Sequence, residues 1–434
     1  MTTSSYQILS PKRDASARKG WRGFFPYYAG FSERFAAEMI ASARLPKEAL
    51  IWDPWNGSGT ATYAGSALGY NCTGYDINPV MVIVARARLL PPSEADSLLP
   101  IAQEIARVAS KSRATVRPGD PLLAWFDVAT ASLIRNFDRA IRRHLVGPLT
   151  RPVSGPTDLS KLSGVAAAMY VSVFSLCRAE LASVRTSNPT WYRAYSREEK
   201  GIRVDRSKFT HGFISLVTAM QDALVRKEIL RLSGDVGKVD LYLQDTANTL
   251  PLEQKADFVL TSPPYCTRID YAASTRIELA VIGPWLKVEY ENLSSSMIGT
   301  IKVPKRKPAP RRSWGSQCIS FLRQVRDHSS KASKSYYLKN HMDYFDKIER
   351  SLDMLSSSVK RGGIVALVAQ DSFYKEIHNP LPDIFVEMGL CKGLRLFDRR
   401  DFSAPRSMSG INKGVRLYRE HRRPTESVLL FERE

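Results

Sequence analysis

The chain has 434 residues, 44% of them hydrophobic, which excludes a mainly disordered protein and leaves room for one large core or two smaller ones. Lysines and arginines number 63 against 43 acids, a net charge of +20 that makes a polyanion the first partner to consider, although a basic surface also serves plain solubility. The five cysteines, at 72, 177, 266, 318 and 391, form no close pair, so neither a disulfide framework nor a zinc spacing follows and no metal is expected.

Taken in chain order, the stretch from Met1 to Arg22 is polar and basic and lacks the apolar centre of a secretory signal, so a reducing, cytoplasmic location is expected. Ala-Leu-Ile-Trp-Asp at 49–53 is a short apolar run ending in an acid. The glycine-rich Asn56-Gly57-Ser58-Gly59-Thr60 and an alanine-rich stretch come next, a pattern of strand, tight turn and helix. Cys72-Thr73-Gly74-Tyr75-Asp76 again ends in an acid and leads through Pro79 into a helical pattern from Val80 to Leu90. Two such units in succession imply a parallel sheet.

From 91 to about 235 the alternation stops, and the segments read as an inserted, mainly helical domain with a polar, proline-containing break from Thr186 to Tyr195. Its most apolar run, Val165 to Cys177, falls short of the about 20 residues that cross a bilayer and reads as a buried helix; no membrane partner is expected. Strand-like runs resume at Val239–Leu243, Ala256–Leu260, Ile364–Val368, Leu394–Phe397 and Ser427–Phe431, so the sheet continues over 236–434. Between about 291 and 335 a Ser, Lys, Arg and Pro-rich stretch of weak periodicity reads as a loop or a small appended element. Within it Lys302, Lys305, Arg306, Lys307, Arg311 and Arg312 occur without an acid, an array suited to holding phosphates in any sequence.

The chemistry-bearing residues follow two strands. Gly57 and Gly59 let the backbone approach a ligand after the first strand, and Asp76, 19 residues beyond Gly57, is placed to accept from ribose hydroxyls. An adenosine-containing ligand fits, and a plain tight turn with a capping acid fits about as well. After the Ala256–Leu260 run, the two prolines of Thr261-Ser262-Pro263-Pro264-Tyr265 fix φ and remove two N–H donors, making a stiff loop rich in acceptors. An exocyclic amine is a poor nucleophile because its lone pair is delocalised, and acceptors that bind its hydrogens favour the attacking form. Ser262 and the Pro263 carbonyl suit that role, and Tyr265 offers a face on which a flipped base can stack.

Asp53-Pro54-Trp55-Asn56-Gly57-Ser58-Gly59-Thr60 closely resembles the donor-binding motif DPFxGSGT of amino-directed DNA methyltransferases, departing in Trp55 for Phe. Phe25-Pro26-Tyr27-Tyr28-Ala29-Gly30-Phe31 is similar to the tyrosine and proline-rich segment that often precedes it, and a plain anchor for the N-terminal arm fits these aromatics nearly as well. Ser262-Pro263-Pro264-Tyr265 resembles the family's (Asp/Asn/Ser)-Pro-Pro-(Tyr/Phe/Trp) tetrapeptide.

The resemblance implies a doubly wound, mostly parallel seven-stranded Rossmann-like sheet with an inserted helical domain. Residues 1–90 would form the arm and donor-binding half, 91–235 a target-recognition candidate, and 236–434 the catalytic half with its basic loop at 291–335. It implies S-adenosylmethionine as cofactor, with Tyr28, Asp53, Trp55, Gly57, Gly59, Thr60, Asp76 and Asp245 as its contacts, and Ser262, Pro263, Pro264 and Tyr265 as the catalytic loop. Double-stranded DNA is the implied partner, in a restriction–modification or phage-defence setting with a cognate endonuclease. The Thr-Ser form before the prolines is the commoner one in enzymes acting on cytosine N4, so cytosine is expected ahead of adenine N6.

Within the insert, Arg185 to Arg193 mixes donors, acceptors and aromatics, which puts forward Asn188 and Trp191 as base contacts; an ordinary turn fits equally. Gln244-Asp245 falls where such folds meet the donor's adenine, or caps a helix, and its strand comes after the insert where many relatives place it before. Gln370-Asp371-Ser372 reads better as structure than as a base contact, and Cys266 as a packing residue. An RNA amino-methyltransferase, a catalytically silent nucleic-acid-binding protein and a dehydrogenase using the same glycine loop are the competing readings. The last has no use for the Ser-Pro-Pro-Tyr loop.

Overall fold

The computed structural model describes residues 6–12, 23–26, 30–147, 159–186, 191–196, 199–228, 236–266, 270–303, 308–403 and 424–434. Helix α1 (Glu33–Ser42) starts at Ser32, whose hydroxyl accepts from the Phe35 N–H, and delivers the chain to β1 (Leu50–Asp53), every residue of which is buried. Alternation on that strand sends Ile51 into the core under α1 and α2 (Thr60–Ala67), and Trp52 into the core on the opposite face. β2 (Asn71–Asp76) pairs parallel with β1, and α3 (Pro79–Arg88) follows with Asn78 as its cap and Pro79 at its first turn.

The insert contains α4 (Ala95–Lys111), α5 (Val128–Ile141), α6 (Gly164–Glu180) and α7 (Arg206–Glu228). The apolar run from Val165 to Cys177 is the buried centre of α6. These helices share one continuous apolar cluster with α3 and with α8 (Arg276–Leu286), so the insert is seated on the flank of the sheet. The sheet resumes with β3 (Val239–Leu243) and β4 (Ala256–Thr261).

Beyond α8 the 291–335 stretch is an appended helical element and not a plain loop: the chain forms α9 (Tyr290–Ser296), a tight turn at Arg312–Trp314 and α10 (Gly315–Asp327). Cys318, Phe321, Leu322 and Val325 are the reason, because that spacing is one helical stripe and all four are buried under a polar composition. Helix α11 (Leu338–Ser358), β5 (Val359–Gln370), the small hairpin of β6 (Ser372–Tyr374) and β7 (Ile377–Asn379), α12 (Leu381–Leu390), β8 (Leu394–Ser403) and β9 (Thr425–Arg433) complete the described chain. β8 runs past its expected end at Phe397 as a charged edge strand, with Arg399 bonded to Asp401 at 2.9 Å.

Strand order is β3-β2-β1-β4-β5-β9-β8 with β9 antiparallel to its neighbours, the mostly parallel seven-stranded doubly wound sheet that was expected. The order reverses between β1 and β4, and a crevice opens at such a switch point outside the carboxyl ends of the strands. Asp53 and Thr261 end those two strands. Among the described residues, no helix is long and apolar enough to cross a membrane.

Candidate active site

At this switch point lies a partly open cavity, lined on one side by Asp53 to Ser58, Thr60 and Asp76 and on the other by Ser262, Pro263, Pro264 and Tyr265. The two motifs, about 200 residues apart in sequence, therefore share one chamber. Gly30, Phe31, Gln244 and Asp245 line it as well, as does the segment from Ser296 to Ile298.

The glycine loop is shaped by its own strand ends. Asp76 accepts from the Gly57 N–H and from the Asn78 N–H, both at 2.8 Å and on different oxygens, so each carboxylate oxygen keeps a lone pair for a further donor. Gly59 has φ +76°, and a Cβ there would lie 2.9 Å from the Ala85 Cβ, so the loop presses against α3 where a side chain has no room. Asp53 accepts from the Trp55 N–H at 3.1 Å and from the Thr261 hydroxyl at 2.6 Å, which pins the end of β1 to the end of β4. Burial pushes the Asp53 carboxyl up to about 7, against the lowering effect of Thr261, and the Asp76 carboxyl up to about 6. Such raised acids are common at functional sites.

Arg88, on the last turn of α3, is a support that the sequence reading missed. Its guanidinium donates to the Ser58 carbonyl at 3.1 Å and to the Thr60 hydroxyl at 3.2 Å, and is paired with Glu33. It thereby holds the glycine loop from behind, and in sequence it is one arginine among several. Asp245 accepts from the Ala247 N–H at 3.0 Å, so it shapes a turn while lining the cavity.

The Ser-Pro-Pro-Tyr loop is held by residues far along the chain. Tyr344 of α11 donates to the Pro264 carbonyl at 2.8 Å, and the Tyr265 N–H donates to the Tyr271 hydroxyl at 3.2 Å. Ser262 Oγ donates to the Tyr265 hydroxyl at 3.3 Å, and that hydroxyl donates to Glu426 Oε1 at 3.2 Å. Burial beside Glu426 pushes the Tyr265 phenol well above its usual range, so it stays protonated. Tyr265 is half-buried and lines the cavity. Burial pushes the neighbouring Cys266 thiol up to about 12, which suits packing and not nucleophilic attack.

The remaining sequence-derived sites divide. Tyr28, Asn188, Lys305, Arg306 and Lys307 lie outside the described residues. Trp191 is half-buried, and its carbonyl accepts from the Thr186 N–H at 2.9 Å in a local turn. Two members of the proposed phosphate-holding run have partners within the chain: Lys302 is paired with Glu291, and Arg311 with Asp346 at 2.7 Å and with Glu349, acids of α9 and α11. Arg312 is exposed. Asp371 accepts from the Thr425 N–H at 2.7 Å and pairs with His378 at 2.8 Å, the structural role expected for it.

No family model matches the chain. The type II methyltransferase M.BsoBI of Geobacillus stearothermophilus is 23% identical over 291 residues, covering 62% of this chain and 54% of that protein, so the chain spans about half the length of this curated relative. Among solved structures, a SAM-dependent methyltransferase from Methanosarcina mazei aligns at 9% identity over 91% of this chain and 96% of its own, with a TM-score of 0.29. The rRNA methyltransferase aviRa from Streptomyces viridochromogenes aligns at 11% identity over 94% of this chain and 87% of its own, also with a TM-score of 0.29.

Proposed function

We propose that this chain is an S-adenosylmethionine-dependent methyltransferase that acts on the exocyclic amino group of a base flipped out of duplex DNA, with cytosine N4 favoured over adenine N6. The observation that carries the reading is the single cavity lined by both the Asp53–Thr60 loop and the Ser262–Tyr265 loop. A dehydrogenase would use the first loop alone. The M.BsoBI similarity and the net charge of +20 support DNA as the substrate.

The residues present fit the donor. Asp76 retains acceptor capacity for two ribose hydroxyls, Gly57 brings backbone to the cavity wall, and Gln244 and Asp245 stand at the end of β3 for the adenine. Trp55, Thr60 and Asp53 would line the methionine side. When bound, S-adenosylmethionine supplies a methyl group on a sulfonium, an electrophile that needs no metal or external base to activate it.

The chain's own residues then handle the amine. Ser262 Oγ and the Pro263 carbonyl accept its two hydrogens and direct its lone pair outward, and Tyr265 stacks against the ring. The loop is stiff before substrate arrives, so most of the rate gain comes from positioning and from the exclusion of water. Once methylated the amine is acidic and sheds its proton without a dedicated base of shifted pKa.

Incubation with tritiated S-adenosylmethionine and mixed-sequence duplex DNA, followed by digestion to nucleosides, tests the reading. Labelled N4-methylcytosine is the expected product. N6-methyladenine would keep the chemistry and overturn the choice of base, and label in RNA but not in DNA would overturn the choice of substrate.

A further inference from the structure

Glu426 has no part in the expected site, yet it ends a chain of hydroxyls that starts in the cavity. Ser262 Oγ donates to the Tyr265 hydroxyl at 3.3 Å, which donates to Glu426 Oε1 at 3.2 Å. Each hydroxyl has one hydrogen to give, so the direction of such a chain is decided by whichever end can only accept or only donate. An ionised carboxylate can only accept. The Tyr265 hydrogen is then committed to Glu426, the Ser262 hydrogen to Tyr265, and Ser262 is left with lone pairs alone to offer the cavity it lines.

We propose that Glu426 is a positioning residue for methyl transfer: from the start of β9 it fixes the polarity of the Ser262–Tyr265 hydroxyls so that Ser262 presents an acceptor, never a donor, to the substrate amine. This rests on the amino-methyltransferase reading given above. A serine free to turn its hydrogen toward the amine would donate to the nitrogen lone pair that must attack. A protonated Glu426 would permit that reversal, because its own hydrogen could be given to Tyr265.

The surroundings of Glu426 set where the reversal falls. Burial raises its carboxyl, while the Tyr265 hydroxyl and Lys12 act to lower it. On the same strand, Thr425 is held by Asp371 of the β5 end, and the Ser427 hydroxyl donates to Asp401 of β8. Glu426 is thus ionised above a pKa higher than that of an ordinary glutamate, and the active polarity is lost as pH falls through it.

The test is the pH profile of kcat at saturating donor and DNA for the wild type, Glu426→Gln and Tyr265→Phe, each checked for folding by thermal denaturation. Wild-type kcat is expected to fall on the acid side. Glu426→Gln, which keeps an acceptor but cannot titrate, is expected to lose that limb with about a tenfold lower kcat at neutral pH and an unchanged KM for the donor. Tyr265→Phe, which cuts the chain, is expected to lose the same limb. An acid limb that persists in folded Glu426→Gln, or an effect confined to KM, would overturn the inference while leaving the methyltransferase reading intact. A wild type that transfers no methyl group to DNA or RNA would overturn both.

Discussion

The glycine loop of the donor wall is shaped by near neighbours, with the Gly57–Asp76 bond spanning 19 residues, whereas the Ser-Pro-Pro-Tyr loop is held by Tyr344 and Glu426, 80 and 161 residues from the loop positions they hold. A wall made locally can be written as a short motif, because the residues that shape it must be near one another whatever follows. A wall made from distant elements exists once the sheet has brought β4, β9 and α11 together. Binding of donor and transfer of methyl should therefore respond to different substitutions, and the following predictions either break that separation or sharpen it.

The largest effect is expected on the donor wall. Asp76→Ala removes both bonds that shape the glycine loop together with the proposed ribose acceptor, and should weaken S-adenosylmethionine binding by about a hundredfold or more in calorimetry. Binding within a factor of about three of wild type would contradict the assignment.

Next comes the strut between the two walls. Arg178 of α6 donates to Glu278 of α8, to the Ser274 carbonyl at 2.9 Å and to the Pro26 carbonyl at 3.2 Å, and lies 4.0 Å from the Phe25 ring centre. It ties the arm that leads to Gly30 and Phe31 to the turn after Tyr271. Removing one member of so buried a pair strands the other, so Arg178→Ala should destabilise the fold by about 3 kcal/mol in denaturant unfolding. A change below about 1 kcal/mol would show that the insert does not brace the two walls.

A smaller effect comes from pH. Ribose hydroxyls bind ionised Asp76 better than the neutral acid, so a bound donor lowers a carboxyl that burial has raised to about 6. Donor affinity should accordingly fall as pH drops through 6, by no more than about tenfold per unit, and stay level above 7. The stability of the donor-free protein should show the opposite sign. A carboxyl raised on folding contributes stability that is complete below its unfolded pKa and is lost as pH rises through the folded value, so Asp53 and Asp76 favour the fold at pH 5 over pH 8. An affinity that is flat between pH 5 and 8 would remove Asp76 from the donor site.

The smallest effect concerns the basic segment. Arg312→Gln should reduce the slope of log affinity for DNA against log salt by about 1, whereas Lys302→Gln, whose charge is spent on Glu291, should leave it unchanged. Equal changes would mean that DNA draws Lys302 away from its partner.

What could be read from the sequence follows the same division. The apolar runs that end in Asp53, Asp76 and Thr261 announce buried parallel strands, and their order after the insert gives the sheet. Gly57 and Asp76 stand in the cavity because the turn that shapes them is local, while Gly59 packs behind it against α3. Arg88, Tyr271, Tyr344 and Glu426 were not legible, since nothing in an arginine of a helix end or a glutamate of a last strand shows what the fold lays against it. Helix α10 was missed for another reason: its stripe of Cys318, Phe321, Leu322 and Val325 is thin, and the serines and arginines around it outweigh it in composition. The acids that pair with Lys302 and Arg311 were likewise not legible, because a run without acids says nothing of acids brought from elsewhere, as Asp346 and Glu349 are brought to Arg311.

The most direct test of the division between the walls is the single-turnover rate of methyl transfer to duplex DNA by Ser262→Ala saturated with labelled S-adenosylmethionine. The loss of one proposed acceptor, with Asp53, Asp76 and the glycine loop untouched, predicts a rate about a hundredfold below wild type from a protein that binds the donor as tightly as before. Transfer at the wild-type rate, or a loss traced to weaker donor binding, would contradict it.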